Sequence, residues 1–166
     1  HKELGFEDSD SLKKYIRQSL ENAKKEQALE KQKFDILKKL LETYDFELPE
    51  GLVEMEMKRI TEEYESLGLD ITQHMDKISE RAKRNVKAYI LIDLIGEKEG
   101  VSVSEEELKQ EIMNIARRYS ITPQGVVQYY MSRDGSLEAL QNSVFERKVF
   151  DILLQKSNRI KKEEAV

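Results

Sequence analysis

The sequence contains no cysteine and no tryptophan among its 166 residues. Without cysteine the protein can form neither disulfides nor thiolate metal sites. Without tryptophan it lacks a frequent anchor of specific interfaces. Only two histidines are present, His1 and His74. His74 stands alone in a polar segment, so we expect a surface residue with no catalytic or metal-binding role.

Motifs that carry chemistry are also missing. The sequence has no glycine-rich phosphate loop, no nucleophile elbow built around a serine, and no HExxH pattern. The abundant acidic residues fall on helix faces and at helix starts, where the helix dipole accounts for them. We therefore predict that the chain is not an enzyme and that it binds no metal or cofactor.

Basic charge and long apolar runs are both in short supply. Lysine and arginine number 28 against 33 acidic residues, a formal charge of -5, which argues against nucleic acid as a partner. The longest apolar run, 88–95, is interrupted by Asp93 and falls short of the ~20 residues that cross a bilayer. No secretory signal is visible, so we expect a cytoplasmic location without membrane contact. The chain begins at His1 instead of methionine, and we expect a fragment of a longer protein.

Two prolines and seven glycines leave few turns, and the apolar spacing between them is that of helices. We predict an all-α, elongated multi-helix domain. Its predicted parts are a long linker helix within 1–48, a helical body with arms in 49–158, and a frayed tail in 159–166. The predicted helices run from about Ser9 to Tyr44, Pro49 to Ser66, Asp70 to Glu97, Ser104 to Tyr119, Pro123 to Met131 and Leu137 to Asn158.

Several helix starts have a clear signature. Pro49 is predicted at the first helical position, where a missing N–H costs nothing. Asp70 is a good N-cap, with Gln73 three residues further on. Ser104 and Glu107 have the spacing of a capping box.

The first and third helices differ in apolar content. In the first, residues 24–33 offer only Ala28 and Leu29, which indicates a solvated bridge held by charge pairs. In the third, residues 86–95 are apolar almost all round, which predicts a buried helix that forms the spine of the domain.

The short helix predicted at 123–131 carries more apolar residues than one packing face needs. Its overlapping stripes contain Val126, Val127, Tyr129, Tyr130 and Met131. One stripe suffices for a core, so a second would face solvent or a partner, although both could be buried between neighbouring helices. Ile115 and Tyr119 on the preceding helix could extend the same patch.

The methionines near the second helix raise the same question. Val53 and Met57 fall on its core stripe, whereas Met55 lies about 200° round the helix from Met57. Methionine adapts its shape and is common at promiscuous surfaces, so Met55 is a candidate for an exposed binding residue. Core filling remains the simpler interpretation for a single methionine.

The order of motifs along the chain resembles the trigger factor family, the ribosome-associated bacterial chaperones. The phrase Phe46-Glu-Leu-Pro-Glu50 is typical of the start of that family's C-terminal domain. The resemblance continues to near the end of the chain through these segments: Arg81-Ala-Lys-Arg-Asn-Val86, Leu91-Ile-Asp-Leu-Ile-Gly-Glu97, the cap at Ser104, Tyr119 to Tyr130, and Glu146 to Leu154.

The resemblance implies a helical domain with two arms that holds nascent or unfolded polypeptides without ATP. The family's apolar binding positions would fall on Ile115, Tyr119, Val126 and Tyr129, and we add Met131 and Met55 from their placement. The family's ribosome-docking segment, Gly-Phe-Arg-x-Gly-x-x-Pro, does not occur here, and an isomerase domain does not fit in this length. Ribosome contact is therefore expected only through domains missing from this sequence.

Other interpretations remain open at this point. The long first helix could serve a structural adapter that docks a specific folded partner, although its apolar gap disfavours a continuous coiled-coil seam. A periplasmic chaperone with a similar helical core is a related alternative. A weak homodimer is compatible with the same apolar surfaces. Client identity and affinity do not follow from the sequence.

Overall fold

The computed structural model describes the backbone of residues 9–163 and the side chains of residues 10–133 and 135–157. Of the tail predicted to fray at 159–166, the backbone of residues 159–163 is described and is helical, and residues 164–166 lie outside the described part. Six α-helices and one 3-10 turn make up the secondary structure of the described part, which contains no strand. The all-α prediction is therefore confirmed. The helices are α1 (Ser9–Thr43), α2 (Glu50–Ser66), α3 (Met75–Lys98), α4 (Glu105–Tyr119), α5 (Pro123–Asp134) and α6 (Glu138–Glu163).

The boundaries of the helices follow local chemistry. Ser104 accepts a hydrogen bond from the Glu107 N–H and the Glu107 carboxylate accepts one from the Ser104 N–H, so the predicted capping box is confirmed. Pro49 is the N-cap of α2 and not its first residue. Asp70 caps the 3-10 turn Ile71–Gln73, and α3 begins only after His74. The last helix continues to Glu163, beyond the predicted end near Asn158.

The chain divides into two compact units, residues 1–39 and residues 40–166. In the first unit, every described side chain of α1 is exposed or half-buried. The solvated stretch predicted at 24–33 is exposed from residue 24 to residue 32, and Lys33 at its end is half-buried. Ion pairs between residues three positions apart lie along this helix, for example Lys13 with Asp10 and Lys33 with Glu30.

The second unit contains two small apolar clusters. In the first cluster α2 packs on α3 through Ile60, Ile78 and Ala82, which are fully buried. In the second cluster α4, α5 and α6 meet at four buried residues. Those four residues are Ile112, Ala116, Val126 and Leu140.

The contact between α3 and α6 joins the two helix groups. Gly96 on α3 lies against the ring of Phe145 on α6, so close that a Cβ at position 96 would overlap the ring. Because glycine has no side chain, the two helices approach at this point. The buried side chains of Leu91 and Ile92 support the prediction that α3 is the spine of the domain. The helix is not buried all round, however, since Tyr89 and Leu94 are exposed.

His74 differs from the surface residue expected. It is half-buried at the boundary between the 3-10 turn and α3. Its ring packs edge-on against Tyr64, with the ring centroids 5.7 Å apart. The imidazole therefore belongs to the packing of the α2–α3 pair.

Candidate functional site

The described side chains offer little that could perform chemistry. They contain no group of three or more His, Asp or Glu residues placed to hold a metal ion. Within the described part, no helix combines the length and the apolar character that a membrane crossing requires. What the chain does present is a set of large apolar side chains at the surface of its second unit.

The short helix α5 has one buried apolar stripe and two exposed apolar side chains. Val126 is only 1% exposed and forms part of the α4–α6 cluster, and Tyr130 packs against that cluster. Tyr129, by contrast, is 54% exposed, and Met131 is exposed as well. The prediction that Val126 contributes to an exposed patch is therefore wrong, because the residue fills the core between three helices. Tyr129 and Met131 lie about 200° apart round the helix and therefore flank the buried stripe on opposite sides. We call them the outer α5 pair.

The Tyr129 ring is held in place by its neighbours. It packs edge-on against Tyr130, with centroids 5.5 Å apart at 89°. The Arg133 guanidinium lies 5.7 Å from the Tyr129 ring centroid, and Arg133 Nη1 donates a hydrogen bond to the Tyr129 hydroxyl at 3.1 Å. The ring thus presents an ordered apolar surface to solvent.

Ile115 and Tyr119, predicted as one pair on α4, separate in the structure. Ile115 is half-buried and packs against the α4–α6 cluster. Tyr119 ends α4 and is 66% exposed. Tyr119 can therefore meet a partner without rearrangement, whereas Ile115 serves mainly the core.

Met55 lies in a groove between α2 and α3. The groove has a volume of about 430 Å³ and is open to solvent. Met55 itself is 71% exposed, and the exposed side chains of Leu52 and Tyr89 line the same groove. We call this the α2–α3 groove. Its lining is completed by Glu56, Arg59, Asn85 and Val86.

The polar side chains of the groove satisfy one another. Glu56 accepts two hydrogen bonds from Arg59, at 2.8 and 2.7 Å, and one from the Asn85 amide at 2.8 Å. The Arg59 hydrogen bond, with a smaller contribution from Asn85, holds the pKa of Glu56 below its usual value. The carboxylate is therefore ionised but already paired, which leaves the apolar side chains as the surface available to a ligand.

Tyr89 was missed because the apolar run in which it stands predicts burial. A signal was nevertheless present at helical spacing. Asn85 and Asp93 lie four residues before and after Tyr89, so one face of α3 reads Asn, Tyr, Asp. Such a polar face favours solvent exposure of the tyrosine between them.

Comparison with known proteins gives a consistent result. The sequence model described as "Bacterial trigger factor protein (TF) C-terminus" matches residues 9–155. Trigger factor of Halothermothrix orenii is 28% identical over 165 residues, covering 90% of this chain and 38% of that protein. Trigger factor of Rhizobium johnstonii is 31% identical over 165 residues, covering 91% of this chain and 33% of that protein. The chain thus spans between a third and two fifths of the length of these curated relatives.

A solved structure supports the fold. Trigger factor domains from Thermotoga maritima match with a TM-score of 0.63 and 24% identity, over 76% of this chain and 81% of that chain. The family match covers α1 to α5 and most of α6. The resemblance identified from the sequence is therefore confirmed, and the chain belongs to the bacterial trigger factor family, whose C-terminal region it matches.

Proposed function

We propose that this domain is an ATP-independent chaperone module that holds unfolded or nascent polypeptides through exposed apolar side chains. The proposal includes a cytoplasmic location and a role without catalysis. The observation that carries it is the α2–α3 groove, where Met55, Leu52 and Tyr89 remain exposed beside a satisfied polar cluster. Methionine and tyrosine suit a site that accepts many sequences, since one adapts its shape and the other contributes a large surface.

The affinity of such a site must come from several weak contacts. Burying one aliphatic or aromatic side chain contributes about 1–2 kcal/mol, which alone corresponds to weak binding. The outer α5 pair and Tyr119 provide further contact points, and an extended client that reaches more than one of them gains from effective concentration. We include Tyr119, Tyr129, Met131 and Met55 in the proposed binding surface. Ile115 contributes at its edge, and Val126 supports it from the core.

The test is a titration of a labelled polypeptide that cannot fold. A reduced, carboxymethylated protein with a fluorescent label is titrated with the 166-residue chain, and anisotropy gives the affinity. Changing Met55→Gln together with Tyr89→Gln removes apolar surface from the groove without touching the buried clusters. We expect roughly tenfold weaker binding, since two partly buried contacts of this kind are worth more than 1.4 kcal/mol together.

A matched control distinguishes a specific effect of the groove from the effect of removing any exposed apolar side chains. Met113 and Tyr44 are also exposed, and neither lines the α2–α3 groove. Met113→Gln with Tyr44→Gln should change the affinity by less than about twofold. Equal losses in both pairs would reject the groove as the binding site, and tight binding to one folded partner only would favour an adapter.

A further inference from the structure

One strongly charged cleft lies outside the apolar surfaces. It is about 320 Å³ in volume and lies between α4 and α6. Three arginines line it, Arg117, Arg118 and Arg147, together with Glu111 and Asn114. We call it the cationic cleft. The chain as a whole has a formal charge of -5. The cleft, with three arginines and one glutamate, is instead locally positive.

Only one of the three arginines is neutralised within the cleft. Arg147 Nη2 forms an ion pair with Glu111 Oε2 at 2.8 Å. The Arg147 hydrogen bond keeps the pKa of Glu111 below its usual value, so this carboxylate is ionised and occupied. Asp151 also acts on Arg147 from one turn further along α6, but it does not line the cleft. Arg117 and Arg118 are exposed and form no ion pair with a described carboxylate. The charge of Arg118 also lowers the pKa of Glu111, but less than the Arg147 hydrogen bond does.

Capping of α4 does not account for these arginines. Both lie in the last turn, where the helix dipole favours positive charge. Two of the terminal carbonyl groups, however, already accept hydrogen bonds from the backbone. The Ile121 N–H donates to the Ala116 carbonyl at 2.9 Å, and the Ser120 N–H donates to the Arg117 carbonyl at 3.4 Å. The guanidinium groups therefore keep their donors for a ligand.

The donors in the cleft match carboxylates. A guanidinium group offers a planar pair of N–H donors that fits a carboxylate with two parallel hydrogen bonds. Phosphate has the same donor requirement, but a nucleic-acid site needs positive charge along a continuous surface. A single depression on an acidic protein suits a short acidic stretch better.

We propose that the cationic cleft binds acidic segments of polypeptides, whose carboxylates are held by Arg117 and Arg118 beside the Arg147–Glu111 pair. This goes beyond the proposed function, because the cleft uses charge and no exposed apolar side chain. It would add clients, or parts of clients, that the α2–α3 groove does not attract.

The probe is a fluorescein-labelled peptide of four Glu alternating with four Gly, measured by anisotropy at low ionic strength. The same peptide with Gln for Glu is the ligand control. These peptides have no apolar side chain. The result therefore does not depend on whether the α2–α3 groove binds clients. Arg117→Gln with Arg118→Gln should weaken binding of the Glu peptide by about fivefold, as expected for two exposed charge pairs.

Lys83→Gln with Arg84→Gln is the matched control, because this adjacent basic pair is also exposed on a helix. It should change the affinity by less than about twofold. Urea midpoints for all variants verify folding. A charge reversal, Arg117→Glu with Arg118→Glu, should release the Glu peptide and bind a Lys–Gly peptide instead.

Three outcomes would overturn the proposal. The first is equal binding of the Glu and Gln peptides, and the second is an unchanged affinity after loss of Arg117 and Arg118. The third is tighter binding of an eight-nucleotide single strand with the same dependence on these arginines, which would assign the cleft to nucleic acid.

Discussion

The α2–α3 pair and the α4–α6 group expose similar side chains in different settings. Both present a methionine and a tyrosine, Met55 with Tyr89 and Met131 with Tyr129. In the first pair the two side chains come from two helices and line one groove. In the second pair both come from α5 alone. The difference shows that residue type does not define a binding surface until the packing of neighbouring helices is known.

The polar links within the two groups also differ. In the α2–α3 pair, Glu56 is satisfied by Arg59 on its own helix and by Asn85 on the other. In the α4–α6 group, Glu107 pairs with Lys148, whose ammonium group also donates to the Ser102 carbonyl at 2.6 Å. The first link borders a groove, whereas the second ties a helix start to a neighbouring helix.

The largest expected effect comes from breaking the contact between the two groups. Gly96→Ala places a Cβ against the Phe145 ring, 2.8 Å from Cε1 and 2.9 Å from Cε2. We expect the free energy of unfolding to fall by about 3 kcal/mol, as for an overpacked core. Urea denaturation measures the loss.

Two controls define the origin of that loss. Gly51→Ala, also in a helix but with nothing within 4 Å of an added Cβ, should be neutral or stabilising by up to about 1 kcal/mol. In a Phe145→Leu background, Gly96→Ala should lower the free energy of unfolding by less, because the ring that the added Cβ meets is gone. A cost that is the same in both backgrounds would exclude the ring as its cause.

The next largest effect is a difference in stability loss between a buried and an exposed residue of α5. Val126→Ala should lower the free energy of unfolding by about 2 kcal/mol, because it opens a cavity among buried residues. Tyr129→Ala should lower it by less than about 0.5 kcal/mol, as expected at the surface. Thermal or urea unfolding of both variants provides the measurement. Similar losses of stability in the two variants would contradict the division of α5 into a buried stripe and exposed residues.

A smaller effect compares the two apolar surfaces in client binding. Tyr129→Gln with Met131→Gln should weaken binding of an unfolded client by about threefold, against roughly tenfold for the groove pair. The groove contacts a bound chain from two sides and therefore buries more apolar area per residue. Anisotropy titration of the same labelled client measures both. The reverse order of effects would place the main site on α5.

The smallest effect concerns the link between α4 and α6. The Lys148 hydrogen bond, together with the Ser104 N–H, lowers the pKa of Glu107 to about 2. A carboxyl with a depressed pKa contributes stability above its unfolded pKa of 4.5, and that contribution is lost as the pH falls towards 2. Glu107→Gln keeps a side chain that can complete the capping box. The variant should be less stable than the parent at pH 7.

The pH dependence identifies the charge as the cause. Urea midpoints of parent and variant should converge between pH 4.5 and pH 2.5, as the parent's carboxylate takes up a proton. Lys148→Met should reproduce the loss at pH 7. A difference that stays constant over this pH range would mean that the amide fails as a cap and that the Lys148 pair contributes nothing.

Local signals in the sequence predict helices and their starts well. The Ser104–Glu107 capping box depends on residues three positions apart, and it forms in the structure. Pro49 was predicted as the first residue of α2 but is its N-cap. The sequence does not distinguish the two positions, because proline is tolerated both before and within a first turn. The angular distance of Met55 from Met57 favoured exposure, although core filling was the simpler interpretation for a single methionine. The side chain is 71% exposed.

Exposure within apolar segments could not be predicted in the same way. Val126 and Tyr129 lie three residues apart, and either could face the core until the positions of α4 and α6 are known. Tyr89 lies in an apolar run that suggests burial. In the structure α3 packs against α2 on one side and against α6 on another, and the Tyr89 side chain stays exposed. The groove and the cationic cleft each combine side chains from two different helices. Local periodicity within one helix carries no information about which residues of another helix lie beside it.

The lack of any fully buried side chain in residues 10–39 has a consequence for hydrogen exchange. A helix without a tertiary core is held by local interactions, so its amides exchange through frequent local opening. Amides of α3 near Ile78 and Ala82, by contrast, should exchange only when a packed cluster opens. Deuterium uptake in residues 10–39 should therefore be faster than uptake near Ile78 and Ala82 by orders of magnitude in time. This part of α1 can open and close many times before the α2–α3 pair opens once.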